Sequence, residues 1–224
     1  VGWILNLNVL GTFLNAPPVC IDLFIANGVR LGDTTWLDDG TFVAPHDRGV
    51  GYVFQEPSLF DHLDVAGNIA YGLRVNGVRD KAFIAERVEA SLKNAALWEE
   101  VKDRLESPAE ELSGGQQQRV FIARALAQQT ELMVMDEPTA SLDIRHEMTI
   151  FRLLRDSADR GMTVLLITHH INLAARFADR FLVLSGGRWA AEGEAREVFN
   201  EDTLTSVYKW PVSVGMDPET GSPR

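Results

Sequence analysis

Four short apolar runs, Val50–Phe54, Leu132–Met135, Thr163–Thr168 and Phe181–Leu184, are rich in β-branched and aliphatic residues and do not alternate with polar positions. That pattern predicts strands buried on both faces, as in a parallel sheet covered by helices. Helical stretches separate the later runs. Gln116–Ala127 follows Ser113, a suitable N-cap, and Ile144–Arg160 ends at Gly161, placed as a C-cap. Strand alternating with helix implies an α/β fold. Ligands of such sheets bind beyond the carboxyl ends of the strands. The residues that follow three of the runs are polar: Gln55, Asp136 with Glu137, and His169.

Between the first and second runs the pattern changes. Phe83, Ile84, Val88, Leu92 and Ala95 fall at helical spacing with Lys81, Glu86, Glu89 and Lys93 around them, which predicts an amphipathic helix with a core stripe. We therefore divide the chain into an α/β core over 1–56 and 112–210, a helical subdomain over 57–111 and a loosely ordered tail over 211–224. At the start, Val1–Ile21 carries no formal charge, but Asn6, Asn8, Asn15, Pro17 and Pro18 interrupt it, and the first cation is Arg30, so the basic region of a signal peptide is missing. A buried strand over Ile4–Leu10 followed by an irregular connection is expected there, rather than a signal peptide or spanning helix.

Composition narrows the function classes. The 224 residues hold 32 Asp+Glu against 21 Lys+Arg, a formal charge of −11, which argues against a surface that grips nucleic-acid phosphates. Cys20 is the single cysteine, so an internal disulfide and a cysteine-based zinc site are excluded and a reducing compartment is expected.

The candidate chemistry lies in a set of ordered motifs. Leu112-Ser113-Gly114-Gly115-Gln116 opens a helix with small residues, which lets backbone N–H groups and the helix dipole approach a phosphate. Taken alone it reads as a turn and a cap. It is followed by Met135-Asp136-Glu137-Pro138-Thr139, then Ser141-Leu142-Asp143, then Ile167-Thr168-His169. In this order and spacing the set resembles the ATP-binding subunit of an ABC transporter over roughly residues 28–210.

The resemblance implies a P-loop NTPase-like core with a mainly parallel sheet and a helical insert, using ATP and Mg²⁺. It assigns Asp136 and Gln55 to the metal, Glu137 to polarising the attacking water and His169 to the γ-phosphate. Gln55 would also lead into the insert that couples to the transporter. Ser113, Gly114, Gly115 and Gln116 would bind ATP held by the opposite subunit, and Asp143 would lie in the loop communicating between subunits. The implied partners are a second ATPase subunit, like or unlike, integral-membrane permease subunits and, indirectly, a substrate-binding protein, with no nucleic acid. The implied place is the cytoplasmic face of the cell membrane. His170, His46, His62 and His146 are read as ordinary polar residues.

One part of the family pattern is missing. The phosphate-cradling Walker A loop, Gly-x-x-x-x-Gly-Lys-Ser/Thr, is not found, and no Gly-Lys pair occurs among lysines 81, 93, 102 and 209. Counting back from Gln55 it belongs near residues 6–13, which read Asn6-Leu7-Asn8-Val9-Leu10-Gly11-Thr12-Phe13. Four charge-assisted hydrogen bonds at ~1.5–3 kcal/mol each would supply most of the ~8 kcal/mol of a micromolar affinity. The sequence therefore predicts weak ATP binding and an N-terminal part truncated or altered relative to a working ATPase.

The resemblance within the family is a mosaic. Gly51-Tyr52-Val53-Phe54-Gln55-Glu56 is similar to molybdate importers, and Asn68-Ile69-Ala70-Tyr71-Gly72-Leu73 with Ala96-Leu97-Trp98 is similar to phosphate importers. Residues 161–212, with Ile171-Asn172-Leu173-Ala174-Ala175-Arg176, resemble siderophore, haem and cobalamin importer subunits. The insert touches the membrane partner, so phosphate or another oxyanion is the expected cargo. The alternatives are a siderophore, haem or cobalamin importer, a silent subunit lending only its Ser113–Gln116 segment, and an ABC protein outside transport.

Overall fold

Strands β4 (Val50–Val53), β5 (Leu132–Asp136), β6 (Thr163–Ile167), β1 (Gly2–Leu7) and β7 (Arg180–Ser185) lie side by side in that order, all parallel. The edge strand β8 (Arg188–Gly193) closes the sheet antiparallel to β7. The computed structural model describes residues 2–7, 29–31, 34–37, 40–44, 48–55, 58–140 and 142–224. The four apolar runs of the sequence are the strands β4 to β7, and the uninterrupted burial of Met133, Val134 and Met135 explains why they carry no polar alternation. The expected strand at Ile4–Leu10 is β1, at Gly2–Leu7; residues 8–10 lie outside the described residues, as do Pro17, Pro18, Cys20 and His46.

Two features escaped the pattern. A two-stranded antiparallel pair joins β2 (Val29–Leu31) to β3 (Thr34–Leu37), separated in sequence by Gly32-Asp33, a dipeptide that signals a hairpin. Strand β8 is mostly exposed and has only the short apolar run Trp189–Ala191, and it is held to β7 by backbone pairing, by Ala191 against the core and by Glu192 accepting from Arg180. Its sequence signal is the turn Gly186-Gly187, where φ of 58° and 71° needs residues without a Cβ.

The insert consists of α1 (Val65–Val75), α2 (Lys81–Asn94) and the single turn α3 (Trp98–Val101). Asp64 and Asp80 cap α1 and α2 by accepting from backbone N–H groups of their first turns. The stripe of α2 is corrected at one position. Val88, Leu92 and Ala95 are buried, but Phe83 is exposed with Arg87 over its ring, because it stands one residue, and so about 100° of helix, from the inward Ile84.

Helix α4 (Gly114–Ala127) joins the two parts. Phe121, Ile122, Ala125 and Leu126 enter the core under the sheet, whereas Val120, Ala123 and Ala127 enter the core of the insert with Ile69, Leu92 and Leu97. The two faces of one helix thus register the insert against the sheet. Helix α5 (Ile144–Asp159) covers the sheet with Ile150, Phe151, Leu153 and Leu154 and stops at Gly161, whose φ is 100°. Beyond it come α6 (Ile171–Phe177), α7 (Ala195–Val198) and α8 (Glu201–Tyr208).

The tail, expected to be loose, folds back on the core. Gly215 and Arg224 exchange backbone hydrogen bonds, Arg196 donates to the Gly221 carbonyl, and Arg176 of α6 pairs with Asp217. Turn-forming residues lowered its expected order, but Asp217 organises them by accepting from Glu219 and Thr220.

Candidate active site

Strands β4, β5 and β6 are neighbours and parallel, so the residues after them share one edge of the sheet. Asp136 ends β5 opposite Ile167 of β6, and the Glu137 N–H donates to the Ile167 carbonyl at 2.9 Å. Glu137 has φ of 42°, in the left-handed region that costs a side-chain-bearing residue about 1–2 kcal/mol. Its carboxylate is met from both sides. His169 Nδ1 stands 3.2 Å from Oε1, and Gln55 Nε2 donates to Oε2 at 3.3 Å. Two residues separated in sequence by 114 positions, Gln55 and His169, therefore converge on one carboxylate.

Asp136 differs from its neighbour in exposure: it is 6% accessible, and burial, with the Glu137 charge beside it, pushes its carboxyl above the usual carboxylate range. Among the described residues, no cationic side chain is paired with Asp136.

The Ser113–Gln116 segment forms the first turn of α4 by a reciprocal capping box. The Gln116 N–H donates to Ser113 Oγ at 3.4 Å, and the Ser113 N–H donates to Gln116 Oε1 at 3.1 Å. A Cβ at Gly114 would meet nothing within 4 Å, whereas one at Gly115 would stand 3.3 Å from Leu142 Cδ2. Leu142 precedes Asp143, so the glycine segment and the Asp143 loop touch within one chain. Asp143 caps α5 by accepting from the His146 N–H at 3.0 Å, and the His146 ring stands 2.9 Å from its second oxygen. The backbone N–H of His146 lowers the Asp143 carboxyl below its usual range.

The predicted residues therefore fall into two groups. Gln55, Asp136, Glu137 and His169 meet at the strand ends. Ser113, Gly114, Gly115 and Gln116 form a separate turn beside Asp143.

Sequence reasoning missed the residues behind these groups. Glu147 is buried on α5, accepts the Thr139 hydroxyl at 2.9 Å and stands 3.4 Å from His170 Nδ1. The His170 ring is partly exposed and lies 4.1 Å from that of His169. Arg119, 3% exposed, forks onto Glu100 of α3. A charged residue inside an otherwise buried helical stretch was the available signal at Arg119, whereas Glu147 stands among exposed and half-buried neighbours and carries no such mark. Between α1, α2 and α3 lies a cavity of about 540 Å³, lined by Ala70, Val78, Ile84, Val88 and Trp98 with Arg74 and Lys81. Among the described residues, no helix is long and apolar enough to cross a membrane.

Comparison with known proteins places this geometry in context. The profile of the ABC transporter family matches residues 29–140. The chain is 42% identical over 182 residues to the phosphate import ATP-binding protein PstB of Bacteroides fragilis, covering 80% of this chain and 71% of that protein. It is 42% identical over 187 residues to PstB 1 of Yersinia pestis, covering 80% and 68% respectively. Among solved structures it is similar to cbiO1 of Clostridium perfringens, part of the ABC transporter complex cbiONQ, with a TM-score of 0.67, 27% identity and coverage of 92% and 81%. A dimeric ATP-binding cassette in a post-hydrolysis state, bound to ADP and Pi, matches with a TM-score of 0.67, 28% identity and coverage of 86% and 84%.

Proposed function

The chain belongs to the ABC transporter family, and from that membership we propose that it is the ATP-binding subunit of an importer that couples ATP hydrolysis to uptake of phosphate or another oxyanion. The observation that carries the reading is the convergence of Gln55 and His169 on the Glu137 carboxylate at the strand ends. In this reading Glu137 takes a proton from the attacking water, a role worth ~10²–10⁴ in rate. His169, with Nδ1 turned to Glu137, keeps its opposite ring nitrogen for a phosphate oxygen.

The strand ends suit Mg²⁺. Asp136 is a buried carboxylate with its charged form disfavoured by burial and by Glu137, and a hard divalent cation prefers such oxygens. Asp136 and Gln55 are the residues that would hold it, and bound there it would neutralise negative charge on the phosphates. Of the segment expected to cradle those phosphates, residues 8–13 lie outside the described residues.

The partner assignments belong to the same reading. Ser113, Gly114, Gly115 and Gln116, with Asp143, serve nucleotide on a second ATPase subunit, and a dimeric cassette among the similar structures supports that arrangement. Docking on integral-membrane permease subunits at the cytoplasmic face of the membrane, with a substrate-binding protein reached through them, is supported by the names of the relatives as import proteins and by cbiO1 being part of an ABC transporter complex. The phosphate cargo is supported by the names of the relatives. The helical subdomain remains 57–111 in this reading, with α4 as its seam to the core.

The deciding experiment is equilibrium binding of Mg-ATP to the full chain carrying Glu137→Gln, which prevents turnover. Saturable micromolar binding supports a complete site. Absence of binding overturns it and favours the second reading, a subunit that lends only Ser113–Gln116 to a partner, which the missing Gly-Lys pair supports.

A further inference from the structure

We propose that Glu100, on the single turn α3 of the insert, is a positioning residue for the Ser113–Gln116 segment. The inference rests on the reading that this segment meets nucleotide on a second subunit.

One carboxylate holds two side chains of α4. Arg119 donates from Nη1 to Glu100 Oε1 at 2.7 Å and from Nη2 to Oε2 at 3.0 Å, the fork that fixes both planes. Oε2 also accepts from Gln116 Nε2 at 2.9 Å. The other end of that amide, Gln116 Oε1, accepts from the Ser113 N–H, so the carboxylate lies at the end of the capping box itself. Arg119 completes the hold through the Ala96 carbonyl at 2.8 Å and the Gly115 carbonyl at 3.4 Å. Ala96 has φ of 50°, an unusual backbone for alanine, just before the turn that carries Glu100.

Burial and charge make the arrangement specific. The Arg119 side chain is 3% exposed, and a guanidinium so buried needs its counter-ion in place. The hydrogen bond from Arg119 lowers the Glu100 carboxyl below its usual range. Anchoring α3 does not need Glu100, because Leu97 and Val101 are already buried in the insert core with Trp98 packed against it. What Glu100 alone supplies is the tie between that turn and the capping box of α4. Gly114, whose open side meets no atom within 4 Å of a Cβ, is thereby held at the surface in one orientation.

The test compares Glu100→Ala and the milder Glu100→Gln in the full chain by two readouts. The first is amide hydrogen exchange, which needs no turnover. We expect Glu100→Ala to speed exchange at Gln116 and Gln117 roughly tenfold while Ile122–Ala127 keep their protection. The second is hydrolysis in a mixed assembly with an intact ATPase subunit whose own signature serine is replaced by alanine, so that turnover depends on this chain's Ser113. There kcat should fall roughly 10–100-fold with KM nearly unchanged, and Glu100→Gln should restore part of it. A merely structural role would lower thermal stability and the active fraction, leaving kcat per folded molecule intact. Unchanged exchange at Gln116, or looser exchange without loss of kcat, overturns the proposal. If Ser113→Ala leaves turnover of the mixed assembly unchanged, the functional reading fails instead, and exchange alone decides whether Glu100 holds the segment.

Discussion

His169 Nδ1 stands 3.2 Å from Glu137 Oε1, joining the ends of two neighbouring parallel strands through their side chains. Gln55 completes the arrangement from the third strand. Replacing Glu137 by Gln keeps the size of the side chain and removes its basicity. Hydrolysis is expected to fall ~10²–10⁴-fold with Mg-ATP affinity kept within a few fold. Steady-state turnover beside calorimetric binding separates the two. An equal loss of both would mean that Glu137 binds nucleotide rather than activates water.

Asp136 carries an electrostatic burden. Burial and the Glu137 charge raise its folded carboxyl pKa above the ordinary Asp value. Its contribution to stability is therefore fully present below that value and is lost as pH rises through the raised folded pKa. Asp136→Asn should raise the melting temperature of the nucleotide-free protein at pH 7, and stability should fall less between acid and neutral pH. The same variant should lose most of the stabilisation that added Mg²⁺ gives. Thermal denaturation with and without the ion checks both signs, and a lower melting temperature for the variant without Mg²⁺ would count against the burial argument.

Glu147 is a buried acceptor. Removing it in Glu147→Ala leaves the Thr139 hydroxyl, itself 3% accessible, without its partner at 2.9 Å. An unsatisfied buried group costs about 1–3 kcal/mol. For a chain of this size that lowers the melting temperature by about 2–4 °C per kcal/mol. Glu147→Gln, which keeps an acceptor, should lose less. Equal melting temperatures for the two variants would show that the hydrogen bond contributes nothing.

Asp217 controls the tail. The Thr220 backbone N–H and the Arg176 guanidinium hold its carboxyl far below the ordinary range. The stabilisation it provides is present above the ordinary Asp value and is lost as pH falls through the lowered folded pKa. Asp217→Ala should release residues 214–224 from α6, seen as earlier proteolytic cleavage beyond Val212, while the sheet core stays resistant. Limited proteolysis read by mass spectrometry tests it. An unchanged cleavage order would mean that the Gly215–Arg224 pairing suffices alone.

The catalytic half of the candidate site was legible because its residues follow apolar runs. A strand of one parallel sheet delivers its next residue to a shared edge whatever separates the strands in the chain. Ser113 was legible for the same local reason: a serine before two glycines and a helical run is a cap. Glu100 and Glu147 were not, because their partners Arg119 and Thr139 come from other elements, and nothing at the positions themselves marks such a pairing. The tail misled because its Pro, Gly and Ser content measures local flexibility, whereas Asp217 and Arg176, 41 residues apart, decide its order.

By itself, the sequence determined the strand runs, the caps and the order of the motifs, since each depends on neighbours within a turn or a strand. Tertiary structure decided that Gln55 and His169 meet on Glu137, that α4 serves two cores, and that one carboxylate of the insert holds the glycine turn. Those are contacts between distant segments, and their geometry exists only once the backbone has brought β4, β5 and β6 together and α3 against α4.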